Sequence, residues 1–408
     1  MSRRKPTRPR VLILGGGFAG LAASLALRPD RYDVTLVDRA RHFEFLPNIH
    51  ELLSGVKTPE LLRLPLDRNV RRSGHRFVRD TVTAIETQER AVQLERRAPL
   101  SYDALIVALG GVDNTRGVPG VEEHAIGFKS VDACHRIGRR LAKLAKRREP
   151  ARVVIVGGGL EGVEALGEIL RRHRRSGLEL TLVEAGERLL VEAPASLDPH
   201  VRKLCAPFEV AFEMEARVAR ISAKRVKLED GRRLASDLTI WTGGPAPPAL
   251  LADSGLAPRG EWAPVNDTLE SKDHPGVFVA GDAADLPTAL SKQAYHAIDM
   301  GACAAQNAVL RLGGHTPERF RPSGKPMLIS FGDLSCFLVA GERALAGPVL
   351  GAAKELIFEA VMLQLDSAPV TDRLPRLVQR VEQATRQLAW PTLVSPRRLL
   401  RQAQIELL

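Results

Sequence analysis

Two stretches of the chain share one order of apolar, glycine and polar positions. Residues 11–27, VLILGGGFAGLAASLAL, begin with an apolar run, pass through three glycines and continue with apolar residues at helical spacing. Residues 152–170, RVVIVGGGLEGVEALGEIL, repeat that order. An apolar run that ends in glycines is typical of a buried strand, and the spacing after it is typical of a helix. Each stretch therefore predicts a strand, a tight turn and a helix.

The repeat extends beyond these two stretches. DVTLVD and YDALIVALGG follow the first copy at residues 33–38 and 102–111, and LELTLVE and DLTIWTGGPAP follow the second at residues 178–184 and 237–247. Apolar runs that alternate with helical patterns predict parallel sheets with crossover helices. The predicted fold class is therefore α/β, with two Rossmann-like doubly wound domains and a small C-terminal element.

The pattern outside the copies predicts further elements. Residues 130–150 are expected to form a basic amphipathic helix. VFVAGDAADLP predicts a strand, and residues 291–312 predict a helix rich in alanine and glycine, which can pack closely against another backbone or a flat ligand. After residue 325, the strand-like runs MLISF and CFLVA precede the helical pattern of GAAKELIFEAVMLQL.

Composition narrows the class of protein. The chain has 408 residues, 44% of them hydrophobic, and a net charge of +11. No run reaches the roughly 18 apolar residues of a spanning helix, and MSRRKPTRPR lacks the apolar core of a secretory signal, so we expect a cytoplasmic protein. Aromatic residues are only 4% and do not interleave with the basic runs, which argues against nucleic acid as a partner. The basic residues permit peripheral contact with the inner face of an anionic membrane, and solvated helix faces are the alternative.

The cysteines indicate no metal or disulfide chemistry. Cys134, Cys205, Cys303 and Cys336 are widely spaced, and no CxxC pair occurs. This spacing favours neither a zinc site nor a local redox disulfide. We expect buried, reduced thiols and no metal site.

The glycines of the two copies carry the first signal of chemistry. In a dinucleotide-binding turn, the first glycine makes the turn, the second lets the backbone approach a pyrophosphate, and the third brings helix and strand together. The helix N-terminus offers free amides and about half a positive charge to the phosphates. An acidic residue at the end of the next strand accepts hydrogen bonds from a ribose. The residues at these positions are Gly15, Gly17, Gly20 and Asp38, and then Gly157, Gly159, Gly162 and Glu184.

Two flanking stretches indicate which nucleotide each copy holds. VFVAGD, with Gly281 and Asp282, resembles the second flavin-contact motif of flavoproteins with two dinucleotide-binding domains, and YDALIVALGG, with Gly110, resembles their Ala-Thr-Gly-type strand end. Both flank the second copy, so the resemblance implies FAD in the first copy and NADH in the inserted second copy. Arg39 and Gly243 complete the predicted cofactor-binding residues. The predicted domains are 1–127 with 263–325 for FAD, 128–262 for NAD(P)H, and 326–408 as the C-terminal domain.

Longer motifs narrow the resemblance to one family. GGGLEGVEALGEIL resembles the second glycine motif of type II NADH:quinone oxidoreductases and the related apoptosis-inducing-factor-like quinone reductases, with its Gly-Val-Glu and Gly-Glu elements. DRARHFEFLPNIHELLSGVKTPE and GFKSVDACHRI resemble further segments of that family, over residues 10–346 in all. The resemblance implies an FAD-dependent oxidoreductase that takes a hydride from NADH and passes two electrons to a quinone.

The same resemblance suggests three catalytic residues. It places Glu164 near the nicotinamide and the flavin, where it orients the nicotinamide or relays a proton. SKQAYHAIDMG departs from the alanine and glutamine usual in bacterial type II enzymes, and its Lys292 and Tyr295 are more similar to the apoptosis-inducing-factor-like ubiquinone reductases. Lys292 could stabilise negative charge on the flavin, and Tyr295 could bond a quinone oxygen. A solvated glutamate, a surface lysine and a packed tyrosine are the alternatives.

Several points stay open at the level of sequence. Glu184 favours NADH because a carboxylate repels a 2′-phosphate, but Arg188 and the basic residues 171–175 leave NADPH as an alternative. Alternative functions are reduction of a small electron-transfer protein, sulfide:quinone reduction using Cys134 and Cys336, and a flavoprotein that binds nucleic acid or protein. Residues 352–365 and 388–408 could contact a membrane, the core or a second copy in a homodimer.

Overall fold

The computed structural model describes residues 8–369 and 405–408. Its first core is a parallel five-stranded sheet, in which Arg10–Leu14 lies between Ala104–Val107 and Asp33–Asp38. Val277–Val279 extends this sheet beyond Ala104–Val107, and Arg76–Arg79 extends it beyond Asp33–Asp38. Because Val277–Val279 follows the whole second copy in the chain, the second unit is inserted in the first.

The second core repeats this arrangement. Its parallel strands run in the order Ala125–Gly127, Leu238–Trp241, Ala151–Val156, Leu178–Val183 and Ala211–Glu213, so the strand before the glycines is again central. The two sheets confirm the predicted α/β fold class. Ala125–Gly127 belongs to the second sheet although it precedes residue 128, and the domain boundaries stay predictions.

Antiparallel strands complete both units. Each unit carries a three-stranded meander, formed by Val82–Glu86, Ala91–Leu94 and Leu100–Ser101 in the first and by Val218–Ser222, Arg225–Leu228 and Arg233–Ala235 in the second. Three short strand pairs join His42–Glu44 to Arg63–Pro65, Val112–Asp113 to Pro245–Ala246, and Ala263–Pro264 to Ala284–Asp285.

The helices of the described residues include the five that the sequence pattern predicted. Their bounds are Phe18–Ala26, Glu51–Ser54, Leu66–Arg72, Val121–His124, Val131–Leu144, Leu160–His173, Leu197–Cys205, Ala249–Asp253, Ala294–Leu312 and Leu350–Leu365. Single 3₁₀ turns occur at Leu46–Asn48, Pro59–Leu62, Ala206–Phe208 and Gly281–Ala283. The predicted amphipathic helix begins at Val131, where the Ser130 side chain accepts a hydrogen bond from the Ala133 amide, and ends at Leu144.

The alanine-rich helix packs against a backbone, as one reading of its composition predicted. It begins at Ala294, three residues later than expected, and runs to Leu312. A Cβ added to Gly301 would lie 2.1 Å from the carbonyl oxygen of Ala19, so this helix touches the first glycine helix directly. Only a residue without a side chain permits such an approach.

The C-terminal element combines a sheet and a helix. Met327–Phe331, Ser335–Ala340, Arg343–Ala346 and Glu406–Leu407 form an antiparallel sheet. The helix Leu350–Leu365 buries Phe358, Met362 and Leu365, whereas Leu356 is 72% exposed and Ile357 is 52% exposed. None of the described helices is long and apolar enough to cross a bilayer. Most of residues 388–408, the second predicted contact segment, lies outside the described residues.

Candidate active site

The first glycine turn has the geometry that its three glycines predict. Gly15 adopts a φ of +102°, and a Cβ there would lie 2.2 Å from the Ala108 carbonyl oxygen. A Cβ at Gly20 would lie 1.8 Å from the Gly15 carbonyl oxygen, so helix and turn are in direct contact. At Gly17 a Cβ would meet no described atom within 4 Å. The backbone is therefore open at the position where a phosphate would approach.

The second glycine turn reproduces these features. Gly157 has a φ of +110°, and a Cβ at Gly162 would lie 1.8 Å from the Gly157 carbonyl oxygen. A Cβ at Gly159 would again have no described neighbour within 4 Å. Each glycine helix also begins without a side-chain cap, at Gly17 and at Gly159, so its first amides remain available to a phosphate.

The two acidic strand ends occupy matching positions. Asp38 accepts hydrogen bonds from the amides of Gly16 at 2.6 Å and Ala40 at 2.7 Å. Glu184 accepts from the amides of Gly158 at 2.5 Å and Gly186 at 2.7 Å. Burial raises the pKa of Asp38, and the two amides act in the opposite direction. Both carboxylates are thus fixed beside a glycine turn, where they can accept hydroxyl groups of a ribose.

Of the predicted flavin-side residues, Gly281 lies beside the first glycine helix, since a Cβ there would be 3.2 Å from Ala19 Cβ. Gly110 and Gly281 have φ values of +63° and +72°, which favour glycine. Burial raises the pKa of Asp282, and the Lys292 ammonium opposes this shift. Lys292 Nζ donates to the Asp282 carbonyl oxygen at 2.5 Å and lies 3.7 Å from the centroid of the Trp262 ring. Lys292 is therefore held against the loop of Asp282.

The other three predicted residues have mainly local contacts. Tyr295 is half-buried, and its hydroxyl donates to the Lys325 carbonyl oxygen at 2.8 Å. The exposed Arg39 offers its carbonyl to Arg79 Nε at 3.3 Å. A Cβ at Gly243 would lie 2.5 Å from Trp241 Nε1, which gives this glycine a packing role.

The residues around the first turn fit FAD. The second glycine leaves an open approach to the backbone, the helix amides lack a competing cap, and a buried acid stands at the ribose position. The second turn has the same features and fits the adenosine half of a nicotinamide nucleotide. Within residues 8–369 and 405–408, no group of histidine, cysteine and acidic side chains could hold a metal ion.

Arg188 and Arg174, two of the arginines that left NADPH open, are engaged in other contacts. Arg188 donates to the carbonyl oxygens of Leu190 at 3.0 Å and Val191 at 2.9 Å. Arg174 forms a two-point ion pair with Asp333 at 3.0 and 2.6 Å. A guanidinium already bound in this way is a poor partner for a 2′-phosphate.

Glu164 lies where three parts of the chain meet. Its Oε1 accepts from Lys354 Nζ at 2.5 Å and from the Ser330 amide at 3.0 Å, and its Oε2 lies 3.4 Å from His50 Nδ1. Burial raises the pKa of Glu164, and Lys354 opposes this effect. Burial lowers the pKa of His50 well below its usual value, so this contact joins the carboxyl to a neutral imidazole and is not an ion pair.

A larger group of buried polar side chains extends from this contact. Lys57 Nζ lies 2.6 Å from Glu355 and 3.7 Å from Glu51. One turn after Glu164, the fully buried Glu168 accepts from the Ser54 hydroxyl and lies 3.4 Å from Arg171 Nη1. We name these side chains the junction cluster: His50, Glu51, Ser54, Lys57, Glu164, Glu168, Arg171, Lys354 and Glu355.

The sequence prediction identified only Glu164 in this cluster. His50 and Lys57 lie within a segment quoted only for its resemblance, and Lys354 lies in a helix considered only for membrane contact. One signal was available: Glu164 and Glu168 are four residues apart among apolar residues, so both project from one face of the second glycine helix.

The cysteines have the properties of buried thiols. All four are free, and only Cys303 is partly exposed. Burial raises the pKa of Cys134 well above its ordinary value and that of Cys336 to about 11. A thiol must ionise to act as a nucleophile, so neither residue has the character of a reactive cysteine.

Comparison with known proteins identifies the class. A family model described as pyridine nucleotide-disulphide oxidoreductase matches residues 9–301. This match covers most of the 408 residues, and the chain therefore belongs to that family. The predictions of an oxidoreductase with FAD and a nicotinamide nucleotide as cofactors are confirmed.

Two relatives and one solved structure refine the comparison. Demethylphylloquinone reductase NdbB of Synechocystis sp. is 26% identical over 377 residues, which is 86% of this chain and 91% of that protein. A type II NADH:quinone oxidoreductase of Staphylococcus epidermidis is 26% identical and covers 86% and 94%. The structure of NDH2 from Plasmodium falciparum in complex with NADH has a TM-score of 0.80 at 15% identity, covering 94% and 99%, and so supports the fold. The resemblance found in the motifs is confirmed.

Proposed function

We propose that this protein catalyses electron transfer from NADH to a quinone through bound FAD. The observation that carries the proposal is the repeated nucleotide turn, open at Gly17 and at Gly159, with a buried Glu164–Lys354 pair beside the second copy. Relatives named for quinone reduction align over nearly their whole length, which supports the same acceptor here.

Each turn would hold one cofactor. The turn with Gly15, Gly17, Gly20 and Asp38 takes FAD, bordered by Arg39, Gly110, Gly281, Asp282 and Lys292, and the turn with Gly157, Gly159, Gly162 and Glu184 takes NADH, with Gly243 behind it. FAD, when bound, supplies a ring that accepts a hydride and gives up two electrons. The protein supplies position, which contributes about 7 to 11 kcal/mol in well-oriented reactions. Because Ala125–Gly127 pairs with the second sheet, the proposed domains are 1–124 with 263–325, 125–262 and 326–408.

Glu164 and Lys354 would provide the proton that the reaction needs. The balanced reaction, NADH + H⁺ + quinone → NAD⁺ + quinol, takes one proton from solvent per turnover. Burial raises the pKa of Glu164, which favours a carboxyl that carries a proton, and the Lys354 ammonium stabilises the carboxylate left after donation. Tyr295 would contribute to the acceptor site only by releasing its present hydrogen bond to Lys325.

NADH is the proposed donor. Glu184 is fixed by two amides at the ribose position, and Arg188 is bound to backbone carbonyls. A 2′-phosphate would therefore meet a carboxylate at Glu184, and Arg188 is not free to balance it. NADPH is the less favoured alternative.

We further propose that the acceptor is reached at a membrane surface. Leu356 and Ile357 are exposed on the helix Leu350–Leu365, while the opposite face of this helix packs on the protein. Such a face can lie in the interface plane of the cytoplasmic membrane, on its inner side. Flotation with anionic vesicles tests this: Leu356→Ser with Ile357→Ser should abolish binding, whereas salt-insensitive dimerisation through the same face would indicate a homodimer contact instead.

The first test of the proposed function is the visible absorbance of the bound flavin. The purified protein should be yellow, should bleach with NADH faster than with NADPH, and should regain its absorbance when a short-chain quinone is added. Recovery with a ferredoxin-type protein but not with quinone would favour the electron-transfer alternative. A colourless protein that fails to take up FAD would contradict the proposal. The sulfide:quinone alternative is disfavoured by the buried Cys134 and Cys336.

A further inference from the structure

Two helices of the junction cluster face each other with matched side chains. His50 and Ser54 are four residues apart at the short helix Glu51–Ser54, and Glu164 and Glu168 are four residues apart on the second glycine helix. His50 contacts Glu164, and Ser54 contacts Glu168. The contacts therefore form two successive rungs between the FAD-side unit and the NADH-side unit.

The Ser54–Glu168 contact connects the His50–Glu164 contact to solvent. Glu168 has no exposed surface, but its partner Arg171 is 21% exposed on the next turn of the same helix. Side chains at positions i and i+4 of a helix are neighbours, so Glu168 is the adjacent carboxyl to Glu164. A proton that enters beside Arg171 thus reaches the carboxyl of Glu168 before that of Glu164.

Charge balance gives the cluster a reason to hold a proton. The four carboxyls of the cluster are Glu51, Glu164, Glu168 and Glu355, and the three cations are Lys57, Arg171 and Lys354, while His50 is neutral. A fifth carboxyl, Glu359, lies close enough to Glu355 to raise its pKa. Two bound protons make these groups neutral, and a buried cluster favours neutrality. Among the four carboxyls, Glu168 is the least exposed.

We propose that Glu168 holds one of these protons and passes it to Glu164 after Glu164 has donated its own to the quinone. The inference rests on the proposed function. In each turnover, the proton leaves the Glu168 carboxyl, an O–H bond forms on the Glu164 carboxylate, and Glu168 takes a new proton from solvent at the Arg171 end. Glu168 is thus a positioning residue, because it supplies protons to Glu164 and does not touch the substrate.

The groups around Glu168 set the pH at which it loses its proton. Burial raises the pKa of Glu168 to about 7; Arg171 opposes this shift, Glu51 adds to it, and the Ser54 hydroxyl opposes it. Other titratable groups on its own helix and on the elements packed around it include His50, Lys57, Glu161, Glu164, Arg174, Asp333, Cys336, Lys354, Glu355 and Glu359.

Two variants test the inference through the pH profile of quinone reduction. In the wild type, turnover should fall as the pH rises through about 7, because Glu168 loses its proton. Glu168→Gln should lower turnover about tenfold and remove this limb, with flavin bleaching by NADH unchanged. Ser54→Ala should keep the limb but move it to higher pH, because the hydroxyl that stabilises the carboxylate is lost. Glu179→Gln, at an exposed pair with Arg152 on the same unit, should change nothing.

An infrared measurement provides a readout without turnover. The FAD-loaded wild type should show a protonated-carboxyl band with a component that disappears as the pH rises through the limb. This component should be absent in Glu168→Gln and should disappear at higher pH in Ser54→Ala. If Glu168→Gln does not fold, the Ser54→Ala shift alone decides. Quinone reduction with a wild-type pH profile and band in these variants would overturn the inference but leave the proposed function. A wild type that bleaches with NADH and never reduces quinone would overturn both.

Discussion

The two glycine helices share their first turn and differ in the rest. Counting 142 residues on from each position of the first helix, Gly17 and Gly20 recur as Gly159 and Gly162, but three alanines are replaced by glutamates. The pairs are Ala19 and Glu161, Ala22 and Glu164, and Ala26 and Glu168.

Each set of residues has a structural consequence. The small first helix accepts the alanine-rich helix so closely that Gly301 meets the Ala19 carbonyl. On the second helix, Glu161 pairs with Lys129, and Glu164 and Glu168 join the junction cluster. The repeated backbone suits nucleotide binding, and the side chains that differ suit proton chemistry. The shared glycine turns and the differing helix faces can therefore be tested separately by mutation.

The largest effects should come from filling the shared open positions. Gly17→Val should weaken FAD binding by about 100-fold or more, because the new side chain occupies the space of a phosphate, and its Cβ meets no described atom of the protein within 4 Å. Gly159→Val should retain FAD and lose rapid bleaching by NADH. FAD titration and stopped-flow absorbance measure the two effects, and loss of the same nucleotide in both variants would contradict the assignment.

Glu164→Gln should affect only the second half of the reaction. The amide cannot donate the carboxyl proton, so quinone reduction should slow by about 100-fold. Bleaching by NADH should stay close to the wild-type rate, since it does not use this proton. Stopped-flow measurement of both half-reactions separates them. Glu187→Gln, at an exposed position of the same unit, is the matched control. Equal slowing of both half-reactions would mean that Glu164 positions the nicotinamide.

Glu168 should also make stability depend on pH. Its pKa is raised from an ordinary 4.5 to about 7, so between these values the folded state keeps a proton that the unfolded state releases, and stability falls as the pH rises. Relative to the wild type, Glu168→Gln should therefore gain roughly 2 kcal/mol between about pH 5 and pH 7. Urea denaturation at the two pH values measures this, and a constant difference would contradict the raised pKa.

The smallest effect should appear at the acidic strand ends. Glu184→Gln removes the charge that repels a 2′-phosphate, and the preference for NADH over NADPH should fall about tenfold, near 1.4 kcal/mol. Asp38→Asn should leave this preference unchanged, because Asp38 belongs to the other turn. Bleaching rates with both nucleotides provide the measurement. A change in preference caused by Asp38→Asn would reverse the assignment of the two turns.

The two glycine turns were predictable from sequence because they depend on local geometry. Gly15 and Gly157 need a positive φ, Gly20 and Gly162 need the absence of a Cβ, and these demands act over a few residues. The strand order followed from the repeat, since parallel strands joined by helices have few allowed arrangements.

The junction cluster was not predictable in the same way. His50 and Lys354 come from segments 304 residues apart, and each has an ordinary local sequence. Only the folded arrangement of both units and the C-terminal helix brings them to Glu164. Lys292 shows the same limit: its position near the flavin turn was expected, but its contact with the Trp262 ring depends on tertiary packing.

Two isotopes applied to one reaction test the central claim most directly. NADH deuterated at the transferred position of the nicotinamide should slow flavin bleaching and leave reoxidation by quinone unchanged. Deuterated water should slow reoxidation by quinone and leave bleaching unchanged. The reason is that hydride transfer occurs between the nucleotides held by the two glycine turns, whereas proton transfer uses the glutamates of the second helix. If both isotopes slow the same half-reaction, or if NADH fails to bleach the FAD-loaded protein, the division of labour between the two helices is contradicted.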